Sequence, residues 1–425
     1  MDQFERLRPV ACEALIAEHP SLSAIPVDDD TQQPYFARLP EVNLDHVVSF
    51  TQRQADFPGV HPGNSDPAPD LDLQALLETQ HNIPFSASNA FWRLCILLSP
   101  GASHRFTAAF VFHHAIGDGN SGKAFHTTFV RALHAVMSTE TKSLIKSPQT
   151  PLLPNIEAVH PLPLSFFYLA KKVFQAKIWS GGREPGLWTG SKIQPPSPTH
   201  LRLVPFPKQL VESLINRCRQ ERTTITAVLQ TVVARSLFAN LPAEFSRLNC
   251  SGALSCRRWL PDIITDDSMG VWVQDYSETY SRDNLALPSN TSFPWTEAQR
   301  SRQTIEAALA QQGRDCGVNL LKFVNDFQQE LCLSKLGVDR DQSFEVSNIG
   351  VVRSESDPSR PEIRGMVFSQ CAGVIGNAVQ VSVATGGDGC LVLAFSWQDV
   401  VVEDELVDAV IGSVKDDLCL VAGYE

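Results

Sequence analysis

The chain has no Cys-x-x-Cys pair and no cysteine-histidine cluster at metal-ligand spacing; Cys12, Cys95, Cys218, Cys250, Cys256, Cys316, Cys332, Cys371, Cys390 and Cys419 are scattered. A structural zinc site and a dithiol redox motif are therefore not expected, and most of these residues read as free, buried thiols of a reducing compartment. No apolar run reaches the roughly 20 residues that a membrane-spanning helix needs. The nearest, Leu162 to Phe174, is interrupted by Pro163 and by Lys171 and Lys172, so stable membrane insertion is not expected. The start, Met1-Asp2-Gln3-Phe4-Glu5-Arg6, is acidic where a signal peptide is basic, and no apolar segment follows it. The expected location is cytoplasmic, and the sequons at Asn249 and Asn290 read as chance matches. Basic clusters are missing too. A formal net charge of -12 repels polyphosphate backbones, which argues against nucleic acid as a partner. The same field opposes an anionic coenzyme, so any phosphate site must be a local basic pocket or a helix N-terminus.

What is present is the composition of a folded chain: 43% hydrophobic and 19% charged residues over 425 positions. That length exceeds what one core usually supports, so two packed halves are expected. In the first half, Ala11 to Glu18 reads as a short helix closed at His19-Pro20, and Tyr35 to Leu39 as a strand. Phe57 to Asp70 is rich in proline and glycine (Pro58, Gly59, Pro62, Gly63, Pro67, Pro69) and reads as a solvated excursion. Buried strands are predicted at Ala90 to Leu98 and Phe106 to Phe112, and a helix at Lys123 to Met137, where Phe125, Phe129, Ala132, Leu133 and Val136 recur at helical spacing. The prolines of 147–163 and 193–198 bracket an amphipathic helix, Leu164 to Trp179, and mark a crossover. This divides the chain into an N-terminal lobe (1–145), a crossover (146–199) and a C-terminal lobe (200–425). Strands are predicted in the last at 200–205, Leu248 to Cys256, Phe344 to Val352, Glu362 to Phe368, Val379 to Val383 and Leu391 to Trp397. Helices are expected after Pro207 and Thr223-Thr224 and at Thr296 to Ala310, Gly317 to Ser334 and Glu403 to Val421. The class is α/β (α+β).

The chemistry concentrates in His113-His114-Ala115-Ile116-Gly117-Asp118-Gly119, a turn between a buried strand and a helix. Two adjacent histidines near an aspartate are, by themselves, more often surface or capping residues. On a strand-to-helix turn, however, His114 is positioned to act as a general base towards an O-H or N-H. Asp118 reads as a carboxylate that locks the turn through an arginine, with His113 as a packing residue. Gly117 and Gly119 leave room for a tight turn and a close ligand.

This segment resembles the His-His-x-x-x-Asp-Gly signature of the chloramphenicol acetyltransferase-like superfamily, and all seven positions fit. Glu18-His19-Pro20-Ser21-Leu22, the pair Arg257-Arg258, and Val346-Ser347-Asn348-Ile349-Gly350 are most similar to its fungal alcohol acetyltransferase branch. The Asp-Phe-Gly-Trp-Gly element of the plant branch is absent, and only 18 residues precede the His-Pro segment, where family members usually place a strand and part of a helix. The resemblance implies two similar sheet-and-helix lobes with a tunnel between them. It implies His114 as general base and Asp118 as its turn-locking partner, ion-paired to Arg257 or Arg258, with His113 and Gly119 completing the motif. Ser347 and Asn348 would line the tunnel near the thioester. It further implies a monomer that binds no resident cofactor or metal, takes acetyl-CoA (or another acyl-CoA) as co-substrate, and acylates a small-molecule alcohol or amine, such as a lipophilic specialised metabolite. Two alternatives stay open: acyl transfer from a carrier protein, and a repurposed fold that binds a hydrophobic ligand or guides a cyclisation. The lysine-bearing helix at 164–179 either packs across the crossover or lies on a membrane or lipid-droplet surface.

Overall fold

The computed structural model describes residues 2–58, 67–86, 88–100, 105–135, 142–178, 184–285, 292–352 and 361–423. The expectations at Gly59, Pro62, Gly63, Val136, Met137, Trp179 and Asn290 lie outside these.

The N-terminal lobe opens with α1 (Asp2–Glu18), longer than the predicted 11–18 and formed by the residues that precede the His-Pro segment. Two ribbons follow: β1 (Ala24–Val27) pairs antiparallel with β2 (Tyr35–Arg38), and β3 (Glu41–Asn43) is continued by α2 (Leu44–Val47). The main sheet has β4 (Val48–Gln52) parallel to β5 (Trp92–Leu98), and β5 antiparallel to β6 (Phe106–Phe112). Between β4 and β5 lies α3 (Leu71–His81); after β6 comes α4 (Gly119–Ala135), and β7 (Leu144–Lys146) closes the lobe by pairing with β3. The core is built as the helical spacing demands: Phe125 and Phe129 of α4 face Trp92, Leu94 and Ile96, and Phe110 stacks on Phe125. α1 is tied to α4 by Glu18 bonded to Arg131 and by the buried His19, whose Nε2 meets Thr128 Oγ1 at 3.0 Å. The Glu18-His19-Pro20 segment thus anchors the helix that carries the motif turn.

The crossover contains α5 (Ile156–Val159) and α6 (Phe166–Ile178). Leu153, Ile156 and Val159 pack on Cys256, Leu260, Ile264 and Trp272, and Trp272 Nε1 donates to Pro154 O at 3.0 Å. By contrast α6 leaves Phe166, Phe167, Val173 and Phe174 exposed.

The C-terminal lobe comprises β8 (Thr199–Phe206), α7 (Lys208–Gln220), α8 (Ile225–Asn240), β9 (Arg247–Ser255), β10 (Val273–Ser281), α9 (Arg282–Leu285), α10 (Trp295–Ala310), β11 (Phe344–Val351), β12 (Val379–Thr385), β13 (Leu391–Gln398) and α11 (Asp404–Ala422). Its six strands run in the order β10-β9-β11-β12-β13-β8, with β11 parallel to both neighbours and all other pairs antiparallel. One face, carrying Phe344, Val346, Val381, Leu393 and Phe395, is covered by α7, α8 and α11. The opposite face places Ser347, Gln380, Ser382, Ser396 and Gln398, all buried, towards the N-terminal lobe.

The periodicity reading does not give β1, β3, β4, β7 or α3, and three further features depart from it. β10 carries Gln274, Tyr276, Glu278 and Tyr280 on its buried side, so its alternation is hidden behind polar residues. The predicted strand Glu362–Phe368 is irregular: after Pro361 the chain crosses the β12–β13 turn, where Arg364 O accepts from Asp388 N at 3.0 Å, and it joins no ladder. The predicted helix Gly317–Ser334 breaks into short turns at Gly317–Phe323, Gln328–Cys332 and Leu333–Lys335. There side chains compete for the backbone: Glu330 Oε1 accepts from Asn325 N and Asp326 N, and the buried Asn319 donates to Pro163 O and Gly313 O.

The lobes are joined through a strand edge. β8 ends the large sheet, and its outward N-H groups at Leu203, Leu201 and Thr199 donate to Gln74 Oε1 (3.0 Å), Glu78 Oε2 (3.3 Å) and Asn82 Oδ1 (2.8 Å) on α3 and its cap. Four helical residues rise about 6 Å and two strand residues about 6.6 Å, so side chains at i, i+4 and i+8 stay in step with alternate strand amides. An exposed edge that could template aggregation is thereby covered.

Candidate active site at the motif turn

β6 ends at Phe112, and the chain turns through His113 and His114 before α4 begins at Gly119. His113 is held in place: its ring meets Phe85 and Phe91 edge-on at 6.0 and 5.3 Å, and its Nδ1 accepts from Ala115 N at 3.1 Å. Partial burial, followed by the neighbouring His114, lowers its pKa, and Nδ1 is already engaged. His113 and His114 are both solvent-exposed, and among the described residues no hydrogen bond reaches either ring nitrogen of His114.

Asp118 caps α4 and is 2% exposed. Its Oδ1 accepts from Ser121 N (3.0 Å), Ser121 Oγ (3.0 Å) and Arg257 Nη2 (2.9 Å), and its Oδ2 from Arg257 Nη1 (2.7 Å) and Trp272 N (3.1 Å). Both carboxylate oxygens are thus engaged by partners other than His114. Arg257 is buried as deeply: Nε donates to Thr265 O, Nη2 to Ser268 O, and the guanidinium lies over the Trp272 ring at 4.9 Å. This bidentate pair links the motif turn of one lobe to the loop between β9 and β10 of the other. Arg258 is exposed and lies over Trp259, so of the two arginines it is Arg257 that meets Asp118.

Gly119 lies against the second lobe: a Cβ there would stand 2.7 Å from Ile349 Cγ2. Lys123 Nζ donates to Ile349 O at 3.0 Å and fixes β11 alongside α4. Ser347 and Asn348, expected together, point to opposite faces of that strand. Ser347 is on the interlobe side, whereas Asn348 Nδ2 donates to Thr226 Oγ1 at 3.1 Å and its Oδ1 accepts from Gly350 N. Sequence reasoning missed Ser121, whose hydroxyl also serves Gly270, and Glu345 of β11, whose carboxyl is pushed up by burial and whose Oε2 accepts from Asn377 Nδ2. Asp118 followed three residues later by Ser121 is a capping pattern that could have flagged the first; nothing in the sequence pointed to Glu345.

Burial raises Cys218 and Cys256 to about 12 and Cys250 further, which makes these three thiols poor nucleophiles. Among the described residues no cluster of three or more His, Cys, Asp or Glu could hold a metal, and no helix is long and apolar enough to cross a membrane.

Comparison with solved structures defines the class of fold. A trichothecene 15-O-acetyltransferase of Fusarium sporotrichioides superposes with a TM-score of 0.70 over 99% of this chain and 86% of its own, at 12% identity. The first condensation domain of the CDA synthetase gives a TM-score of 0.62 over 99% and 88%, at 14% identity. The two lobes therefore have the fold shared by chloramphenicol acetyltransferase-like enzymes and condensation domains. The sequence pattern of the alcohol acetyltransferase family matches residues 31–415, and the chain belongs to that family. It is 33% identical to a probable alcohol acetyltransferase, crmB, of Aspergillus fumigatus over 92% of this chain and 85% of the relative. Identity to the probable alcohol acetyltransferase FCK4 of Fusarium pseudograminearum is 24%, over 95% and 83%. The chain is accordingly an acetyltransferase.

Proposed function

We propose that the protein transfers an acetyl group from acetyl-CoA to a hydroxyl of a lipophilic small molecule, with His114 as the general base and without an acyl-enzyme. One observation carries the reading: of the titratable groups in the motif, only His114 leaves both ring nitrogens without a hydrogen bond among the described residues, since His113 Nδ1 is engaged by Ala115 N with the ring against Phe85 and Phe91, and Asp118 accepts from five donors. The imidazole takes the proton of the acceptor as its oxygen attacks the thioester carbonyl. The tetrahedral intermediate then collapses, and the thiolate of coenzyme A leaves with the proton that His114 returns. Asp118 and Arg257 hold the turn that aims the ring. An amine acceptor fits the same steps. Family membership supports an acyl-CoA donor and an alcohol acceptor, and a cytoplasmic location accords with the lack of any membrane-spanning helix among the described residues. The test is release of coenzyme A thiol from acetyl-CoA over a panel of alcohols. His114→Ala should lose at least about 100-fold in kcat, and activity within about tenfold of wild type rejects His114 as the base.

A further inference from the structure

Phe167 and Phe166 are the most exposed large apolar side chains among the described residues, and both stand at the start of α6. Phe174, also exposed, follows Phe167 by two helical turns, so the three rings share one side of the helix. A second exposed strip runs through the short turns after α10: Phe323 and Phe327, then Leu333 and Leu336. The two strips are bonded to each other at their bases. Ser165 N donates to Asp315 Oδ1 (2.5 Å), Asp315 N and Asn319 Nδ2 to Pro163 O (3.0 and 3.1 Å), and Lys322 Nζ to Leu162 O (3.3 Å). These bonds hold the entry to α6 against the residues that lead into Phe323, so segments far apart in sequence expose one apolar face. An apolar face of this kind on a folded chain marks a docking site.

Charge indicates the partner. The chain has 47 acidic and 35 basic residues, yet α6 carries Lys171, Lys172 and Lys177 and no acidic residue. In the second strip the carboxylates of Asp326 and Glu330 accept backbone N-H groups, from Gln329 and from Asn325 and Asp326, while Lys335 is exposed. Two copies docked through this face would set the lysines of one α6 against those of the other, which disfavours a second copy as the occupant. An anionic lipid surface satisfies both features: rings enter its apolar layer, and lysine stems reach back to the phosphates. With 13 residues, α6 is about 20 Å long, too short to cross a hydrocarbon layer of about 30 Å but suited to lying in its boundary.

We propose that α6 and the turns from Phe323 to Leu336 together form a docking face for an anionic lipid surface. Phe166, Phe167, Phe174, Phe323 and Phe327 enter the boundary between headgroups and acyl chains, and Lys171 and Lys172 meet the lipid phosphates. Docking holds the enzyme at the layer in which a lipophilic acceptor collects. That consequence rests on the proposed acetyl transfer; the docking itself does not.

Flotation of the full chain with phosphatidylcholine vesicles, with and without added phosphatidylserine, reads the docking without turnover. Wild type should float with the anionic vesicles. Phe323→Ser combined with Phe327→Ser, which leaves α6 intact, should weaken that binding by about tenfold, since two partly inserted rings are lost. Lys171→Gln with Lys172→Gln should weaken it by about tenfold on anionic vesicles and leave binding to phosphatidylcholine alone unchanged. All four side chains are exposed, so thermal unfolding of both variants should match wild type. Wild type that stays unbound overturns the lipid surface as partner, and binding unaltered in the Phe323/Phe327 variant overturns the joint face. A dimer in sedimentation without vesicles, dissolved by the Phe323/Phe327 changes, also overturns it, in favour of a second copy. CoA release with a water-soluble alcohol should be equal in wild type and both variants, so failure of the docking leaves the acetyl transfer standing, and failure of His114 as the base leaves the docking untouched.

Discussion

Replacing Asp118 by asparagine tests whether the motif aspartate holds the turn or handles protons. The substitution keeps the side-chain volume and one acceptor oxygen, but sets an amide N-H₂ among donors from Arg257, Ser121 and Trp272. It also leaves the Arg257 guanidinium, whose side chain is 3% exposed, without its counter-charge. Breaking a buried pair from one side costs about 3–5 kcal/mol, and the retained volume puts asparagine at the lower end, about 3 kcal/mol. Unfolding entropy scales with chain length, so in a protein of 425 residues this amounts to a fall in Tm of about 3 °C. Arg257→Met should cost a similar amount, and the double variant much less than the two together, with a coupling of about 2 kcal/mol or more. Because the turn aims His114, kcat should fall about 100-fold with little change in KM, as expected when a catalytic group is displaced by about 1 Å. The acid limb of the pH profile should stay where it is, since no proton is exchanged with Asp118. Thermal unfolding and the CoA-release assay read both effects. A Tm within about 1 °C of wild type, or strictly additive losses in the double variant, refutes the interlobe lock.

Other expectations follow from the same contacts. Gly119→Ala drives a methyl group into Ile349 Cγ2 and should cost about 1–3 kcal/mol in a urea titration, with Ile349→Ala in the same chain restoring part of it. His81, bonded to Ser369 Oγ, has its pKa pushed down to about 4 by burial and then by Arg93. The unfolded imidazole takes up its proton near pH 6.5, so this contribution is complete above that pH and is lost as pH falls towards 4. Stability should drop by about 2 kcal/mol by pH 5, and His81→Gln should flatten that limb of stability against pH. Phe166 and Phe167 are 79% and 84% exposed on α6, beside Lys171 and Lys172. Co-sedimentation with anionic vesicles should be measurable and should fall by about tenfold or more when Phe166, Phe167 and Phe174 are changed to serine; binding unaltered by those changes rejects α6 as a surface anchor.

Local periodicity and one motif determined much of this protein. β6, β11, β13, α10 and α11 lie within a residue or so of where alternation, helical spacing and capping put them, because in each the apolar pattern and the local propensity agree. The motif turn was legible for the same reason: a buried strand, two histidines, a capping aspartate and a glycine-led helix are all local. What failed was local signal contradicted from afar. β10 shows polar residues to the interior because Gln274, Tyr276 and Tyr280 reach partners on α8 and α10, and Glu278 reaches Arg300 of α10. The segment 362–368 has a strand's composition but crosses the β12–β13 turn, where Arg364 O accepts from Asp388 N, and pairs with no strand. Only the tertiary structure could choose Arg257 over its neighbour and set Ile349 of β11 against Gly119 of the motif turn. Those are contacts between lobes more than 100 residues apart in sequence, set by the closing of one sheet edge on α3 and by the packing of β11 on the motif helix, which no window of sequence contains.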